Sequence, residues 1–198
     1  MAFFCLSVNS LYAAATEKKI LVFGDSLTAG LGVSYDKAFP AQLEQKLRAD
    51  GYAVKVINAG VSGDTTSGGL ARLDWTLQQN PDYVILELGA NDMLRAVDPA
   101  LTKSNLDKML STLQQKKIPV LLAGMKATTN LGQKYVTAFD EIYPAVAKKY
   151  PVIFYPFFLD SVALHPDLLQ DDGMHPNPAG VAVIVDKITP SVEKLLKQ

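Results

Sequence analysis

Five short, mostly apolar runs, each closing on a small or polar residue and separated by stretches of helical periodicity, constrain this chain more than any other feature. Ile20-Leu21-Val22-Phe23 runs into Gly24-Asp25-Ser26, Val54 to Asn58 into Ala59-Gly60, and Tyr83 to Leu88 into Gly89-Ala90-Asn91-Asp92. Ile118 to Ala123 and Val152 to Tyr155 complete the set. Runs without strict polar alternation suit strands covered on both faces, as in a parallel sheet, and the helices between them supply that cover. The intervening segments fit this role. Asp36 to Asp50 carries Phe39, Leu43 and Leu47 on one stripe and stops at Gly51. A helix from about Thr65 to Gln79 has Thr65 or Asp64 to cap it. Leu101 to Lys117 places Leu106, Met109, Leu110 and Leu113 on one side, and Tyr135 to Lys149 reads as one further helix. Asn177-Pro178 reads as N-cap and first residue of a last helix to about Leu196, which Pro190 should kink or split. The expected fold is a three-layer α/β/α sandwich around a five-stranded parallel sheet.

A chain of 198 residues accommodates one domain with an ample core. Its formal net charge of -1 argues against a broad nucleic-acid-binding face, and no stretch approaches the length needed to span a bilayer. The single cysteine, Cys5, lies in the apolar segment Met1 to Ala15, which ends in Ala13-Ala14-Ala15 before Thr16-Glu17-Lys18-Lys19. That segment resembles the apolar region and A-x-A cleavage site of a secretory signal, although no Lys or Arg precedes it. Residues 1–15 are thus expected to be an export signal or N-terminal arm ahead of one domain, 16–198, in a periplasmic or secreted protein. Removal of the segment would leave no cysteine for thiol catalysis or a disulfide.

Ligand sites in open parallel sheets lie beyond the carboxyl ends of the strands, and three such ends carry Ser26, Gly60 and Asn91. The simplest role for Ser26 is a helix N-cap; the chemical one is a nucleophile exposed at the sheet edge beside the positive end of a helix. A nucleophilic serine needs a base, and the chain has only two histidines, His165 and His175. His175 follows a carboxylate by three residues in Asp172-Gly173-Met174-His175, a spacing that lets the carboxylate reach Nδ1–H and present Nε2 to the serine. His165 has no upstream carboxylate at comparable spacing and reads as structural. Two histidines and no clustered ligand spacing leave little to hold zinc, and no cofactor is expected.

Gly24-Asp25-Ser26-Leu27, Asn58-Ala59-Gly60, Gly89-Ala90-Asn91-Asp92 and Asp172-Gly173-Met174-His175-Pro176 come in the order and approximate spacing of the SGNH, or GDSL-type, hydrolase family, which the chain resembles from Lys19 to its C-terminus. The runs Val61 to Thr66, Gly69 to Leu73 and Tyr155 to Leu159 look like the bacterial branch of arylesterases and the thioesterase I/lysophospholipase. The resemblance implies a flavodoxin-like SGNH hydrolase fold, with Ser26 as nucleophile, His175 as general base and then acid, and Asp172 rather than Asp171 orienting the imidazole. It also implies an oxyanion hole built from the backbone N–H groups of Ser26 and Gly60 and the side-chain amide of Asn91. Asp25 and Asp92 read as buried or capping groups that hold their loops.

The acyl or aryl part of a substrate is expected to meet Met93, Leu94, Met125, Phe157, Phe158, Leu164 and Met174, with at least one of the Phe157-Phe158 pair in the core instead. Arg95, Lys126 and Lys134 are isolated, so no basic cluster marks a coenzyme A phosphate site. The expected activity is therefore hydrolysis of carboxylic esters, aryl esters with short to medium acyl chains, through an acyl-enzyme. An acyl-CoA thioesterase or lysophospholipase on the same scaffold is the alternative, followed by a carbohydrate deacetylase. A nucleotide-binding module is disfavoured, because neither G-x-G-x-x-G nor a phosphate-loop lysine is present. The expected partner is a small ester, with neither nucleic acid nor stable membrane insertion; a monomer is compatible with the sequence.

Overall fold

A computed structural model describes residues 16–198, so the expected export signal at 1–15 lies outside the described residues. Five strands, β1 (Lys18–Phe23), β2 (Val54–Asn58), β3 (Tyr83–Glu87), β4 (Val120–Ala123) and β5 (Val152–Tyr155), form one parallel sheet in the order β2-β1-β3-β4-β5. Ile20 pairs with Val56 on one side and Tyr83 on the other, and Val84 pairs with Val120. β1, β3 and β4 are buried on both faces from Ile20, Tyr83 and Val120 onward, as their unbroken apolar runs require. The edge strands are not. β2 exposes Lys55 and β5 is half-buried throughout, because an edge has one neighbour and less helical cover.

Among the described residues eight α-helices follow in chain order: α1 (Ser26–Ala29), α2 (Phe39–Ala49), α3 (Thr66–Thr76), α4 (Ala90–Leu94), α5 (Pro99–Gln115), α6 (Gln133–Asp140), α7 (Ile142–Lys149) and α8 (Pro178–Leu195). α2 and α8 pack together on one face of the sheet, α3, α5 and α7 on the other. Phe39, Leu43 and Leu47 are the buried stripe of α2, and Leu106, Met109, Leu110 and Leu113 that of α5.

One helix expectation needs correction, and the expectation for Pro190 is narrowed. The helix expected over 135–149 is two helices, because Pro144 has no N–H and its ring crowds the carbonyl of Asp140, where α6 ends. Pro190, by contrast, does not split α8. It is exposed, so the carbonyl it leaves unpaired, on exposed Asp186, faces water while Ile184, Val185, Ile188 and Val192 continue the buried face.

All five strands point the same way, so their carboxyl ends share one edge. The chain passes from β1 to β2 on one side and then returns to place β3 on the other. The loops after β1 and β3 therefore diverge, and the crevice between them is where an open α/β sheet takes its ligand. Ser26 follows β1 and Asn91 opens the helix after β3.

Candidate active site

Ser26 is the first residue of α1, and Asp25, not Ser26, is the cap: its Oδ1 accepts the Leu27 N–H at 3.0 Å. The serine side chain is thereby released from capping and points to the loop after β5 and the turn before α8. There His175 Nε2 stands 2.9 Å from Ser26 Oγ, and His175 Nδ1 stands 2.6 Å from Asp172 Oδ2. The other oxygen, Asp172 Oδ1, accepts the backbone N–H groups of Met174 and His175, each at 2.9 Å. Gly173 at φ +67° allows this closed turn, in a region where a Cβ would be strained. Hydrogen bonds from the His175 N–H, then the His175 ring, then the Met174 N–H hold the Asp172 carboxyl down at about 2. Asp171 takes no part in this pairing, and His165 is exposed and lies away from it.

The imidazole loop is tied at both ends. Asn177 Oδ1 caps α8 through the N–H groups of Ala179 and Gly180, both at 3.0 Å, and its amide donates to the carbonyls of Asp167 and Leu169. Gln170 Nε2 donates to the carbonyls of Pro176 and Leu31, joining the His175 turn to the loop after α1.

The three expected oxyanion donors are less uniform. Asn91 Nδ2 donates to Asp25 Oδ2 at 3.1 Å, which fixes the amide beside the serine and leaves its second hydrogen for another acceptor. Gly60 lies against the serine turn so closely that a Cβ would collide with the backbone of Ala29 and Asp25. Its N–H, however, donates to Asn58 Oδ1 at 3.0 Å, so this donor is already engaged within its own turn. The Ser26 N–H lies in the first turn of α1, where N–H groups lack an intrahelical acceptor.

Asp25 and Asp92 are fully buried, as expected of groups that hold loops. Asp92 accepts the Thr66 N–H at 2.7 Å and the Thr102 hydroxyl at 3.1 Å, binding α4 to α3 and α5. Burial pushes the Asp25 carboxyl up to about 6, against the Leu27 N–H, the Asn91 amide and the nearby His175, with the Asp64 charge adding to the rise. Directly beneath lies Glu87, which sequence reasoning left as a strand residue. It is fully buried, its Oε2 is 3.4 Å from the Asp25 N–H nitrogen, and its Oε1 has no hydrogen-bond partner. Burial, then the Asp25 charge, pushes the Glu87 carboxyl well above the usual range. Its place among apolar residues at the end of β3 carries no sequence signal beyond being a lone charge in an apolar run.

A cavity of about 430 Å³ opens beside Ser26, Asn91 and His175. Met93, Leu94, Met125, Phe157, Leu164 and Met174 all line it, as expected, and Leu27, Leu31, Leu159, Ala163 and Leu169 extend the apolar wall. Phe158 does not line it; it is the core member of the Phe157-Phe158 pair, edge-on to Phe39 with ring centroids 5.1 Å apart. Leu31, Leu94, Leu164 and Met174 are exposed around the mouth. Among the described residues no group of three or more His, Cys, Asp or Glu is placed to hold a metal ion.

A parallel α/β/α sheet with a serine at the first strand end, hydrogen-bonded to a histidine that is paired with an aspartate, defines an enzyme of the α/β serine-hydrolase class. Within that class the chain belongs to the GDSL-like lipase/acylhydrolase family, whose model matches residues 22–183. It is 40% identical over 195 residues to an arylesterase of Vibrio mimicus, covering 98% of this chain and 96% of that one. It is 38% identical over 194 residues to the thioesterase 1/protease 1/lysophospholipase L1 of Escherichia coli, covering 98% of this chain and 92% of that one. The crystal structure of AlinE4, an SGNH-hydrolase family esterase, superposes with a TM-score of 0.78 at 47% identity, covering 92% of this chain and 98% of that one.

Proposed function

We propose that residues 16–198 form a serine esterase that hydrolyses carboxylic esters, aryl esters of short to medium acyl chain above all, through an acyl-enzyme. The observation that carries this is the continuous run Asp172–His175–Ser26, at 2.6 and 2.9 Å. His175 Nε2 takes the proton as Ser26 Oγ attacks the carbonyl carbon, and Asp172 holds the imidazole in the tautomer that can accept it. The Ser26 N–H and the free amide hydrogen of Asn91 receive the oxyanion, and the Gly60 N–H joins them when it shifts from Asn58. His175 then gives its proton to the leaving alcohol. Water, deprotonated by the same imidazole, hydrolyses the acyl-serine. The acyl or aryl group lies against Met93, Met125 and Phe157 in the apolar cavity.

The similarity to the Vibrio mimicus arylesterase supports aryl esters. A second reading, lysophospholipase or thioesterase activity on longer chains, is favoured by Leu31, Leu94, Leu164 and Met174, which line the cavity and are also exposed, so that its apolar wall continues to the surface. The apolar run ending in Ala13-Ala14-Ala15 supports export, with residues 1–15 removed and the enzyme acting in the periplasm or outside the cell.

Covalent labelling by a fluorophosphonate, with turnover of 4-nitrophenyl acetate, butyrate and octanoate beside palmitoyl-CoA and a lysophospholipid, tests the reading. Ser26→Ala is expected to abolish labelling and ester turnover while leaving the far-UV circular dichroism unchanged. Equal rates for the variant and the wild type would end the nucleophile assignment.

A further inference from the structure

The proposed reaction brings the turns after β1 and β2 to one point, and the bond between them is short: the Val61 N–H donates to the Gly24 carbonyl at 3.0 Å. That carbonyl has a second lone pair, and Arg72 of α3 occupies it. Arg72 Nη2 donates to the Gly24 oxygen at 3.0 Å, Nη1 donates to the Ala59 oxygen at 2.9 Å, and Nε donates to Asp64 Oδ2 at 2.7 Å. The guanidinium carbon stands over the Phe23 ring, 4.0 Å from its centroid. One planar group therefore grips the carbonyl two residues before Ser26 and the carbonyl immediately before Gly60, while the last side chain of β1 supports its face.

Arg72 touches neither the cavity nor His175. Its side chain is only 19% exposed and that of Asp64 12%, so water competes little for these bonds. Both carbonyls are also the backbone points that aim the next peptide units: rotation at Gly24 turns the Asp25–Ser26 segment, and rotation at Ala59 turns the Gly60 N–H. We propose that Arg72, oriented by Asp64, is a positioning residue whose fork sets the separation of the Ser26 and Gly60 turns and thereby organises the oxyanion site before substrate arrives. This rests on the reading of Ser26 as nucleophile. Lysine cannot replace the fork, since one ammonium has no fixed geometry with which to hold two carbonyls and a carboxylate in a plane.

Arg72→Lys and Arg72→Gln in the full chain test this, with thermal melting, kcat and KM for 4-nitrophenyl butyrate, the rate of fluorophosphonate labelling, and the pH profile of kcat. Both variants are expected to lose about 10- to 100-fold in kcat and in labelling rate together, because a displacement of about 1 Å at a preorganised site has that effect. KM is expected to stay within about 3-fold, and the pH profile to keep its midpoint because the Asp172–His175 pair is untouched. Full activity in folded Arg72→Lys would overturn the proposal by showing that charge alone suffices. A lower melting temperature with unchanged kcat in either variant would overturn it as well, by reducing Arg72 to a structural role. Should Arg72→Gln fail to fold, Arg72→Lys decides. Failure of the wild type to label at Ser26 is a separate result, which removes the esterase reading itself.

Discussion

Two buried carboxyls beneath the serine turn differ in what they do. Asp25 spends one oxygen on the Leu27 N–H and the other on the Asn91 amide, which fixes that amide beside Ser26. Glu87 has one oxygen without a partner, and burial pushes its carboxyl well above the usual range. Asp25→Asn keeps a competent cap for α1 but turns an NH2 group toward the Asn91 amide, donor against donor, so the hold on Asn91 is lost. It is expected to lower kcat about 10-fold or more with little change in KM, measured on 4-nitrophenyl esters; an unchanged kcat would show that Asn91 needs no anchor. The Asp-x-x-His pairing was readable in the sequence because it closes within one turn. The Asp25–Asn91 and Arg72–carbonyl bonds were not, because their partners stand 66, 13 and 48 residues apart and meet only through the sheet.

At the scale of elements, periodicity located every strand and every long helix, since burial on a fixed face repeats with the backbone's own period. It missed the break before Pro144, where α6 ends at Asp140, and α8 runs on through Pro190. Both prolines are exposed, so exposure alone does not separate the two outcomes. α8 also carries the Asp172–His175 turn at its head. Asn177→Ala removes two cap bonds and two bonds to the 167–169 segment, so a loss of about 1–2 kcal/mol in stability is expected by urea unfolding. Turnover should fall beside it, because His175 lies two residues before the cap; full activity in a destabilised Asn177→Ala would show that the turn holds itself.

For the molecule as a whole, the carboxyls set opposing pH dependences. Asp172 titrates low in the folded state, so its contribution is present above its ordinary value of 3.8 and is lost as pH falls through about 2. Asp25 titrates high, so between about pH 4 and pH 6 the folded state holds a proton that the unfolded chain has released, and stability falls as pH rises. A shift of that size corresponds to on the order of 2–3 kcal/mol. Asp25→Asn is therefore expected to gain stability relative to the wild type as pH rises from 4 to 8, read from urea midpoints at the two pH values. A constant difference across the range would mean that Asp25 is not the titrating group.

The sequence by itself determined the layers, the parallel sheet, the strand-end turns and the pairing of Asp172 with His175, because each depends on neighbours within a turn or on a period of burial. Tertiary structure alone decided how far apart those turns stand. The apolar wall drawn from several loops, the buried Glu87 under the serine turn, the Gly60 N–H held by Asn58 and the grip of Arg72 on two strand ends all depend on separations that arise only when the strands register and the helices close over them.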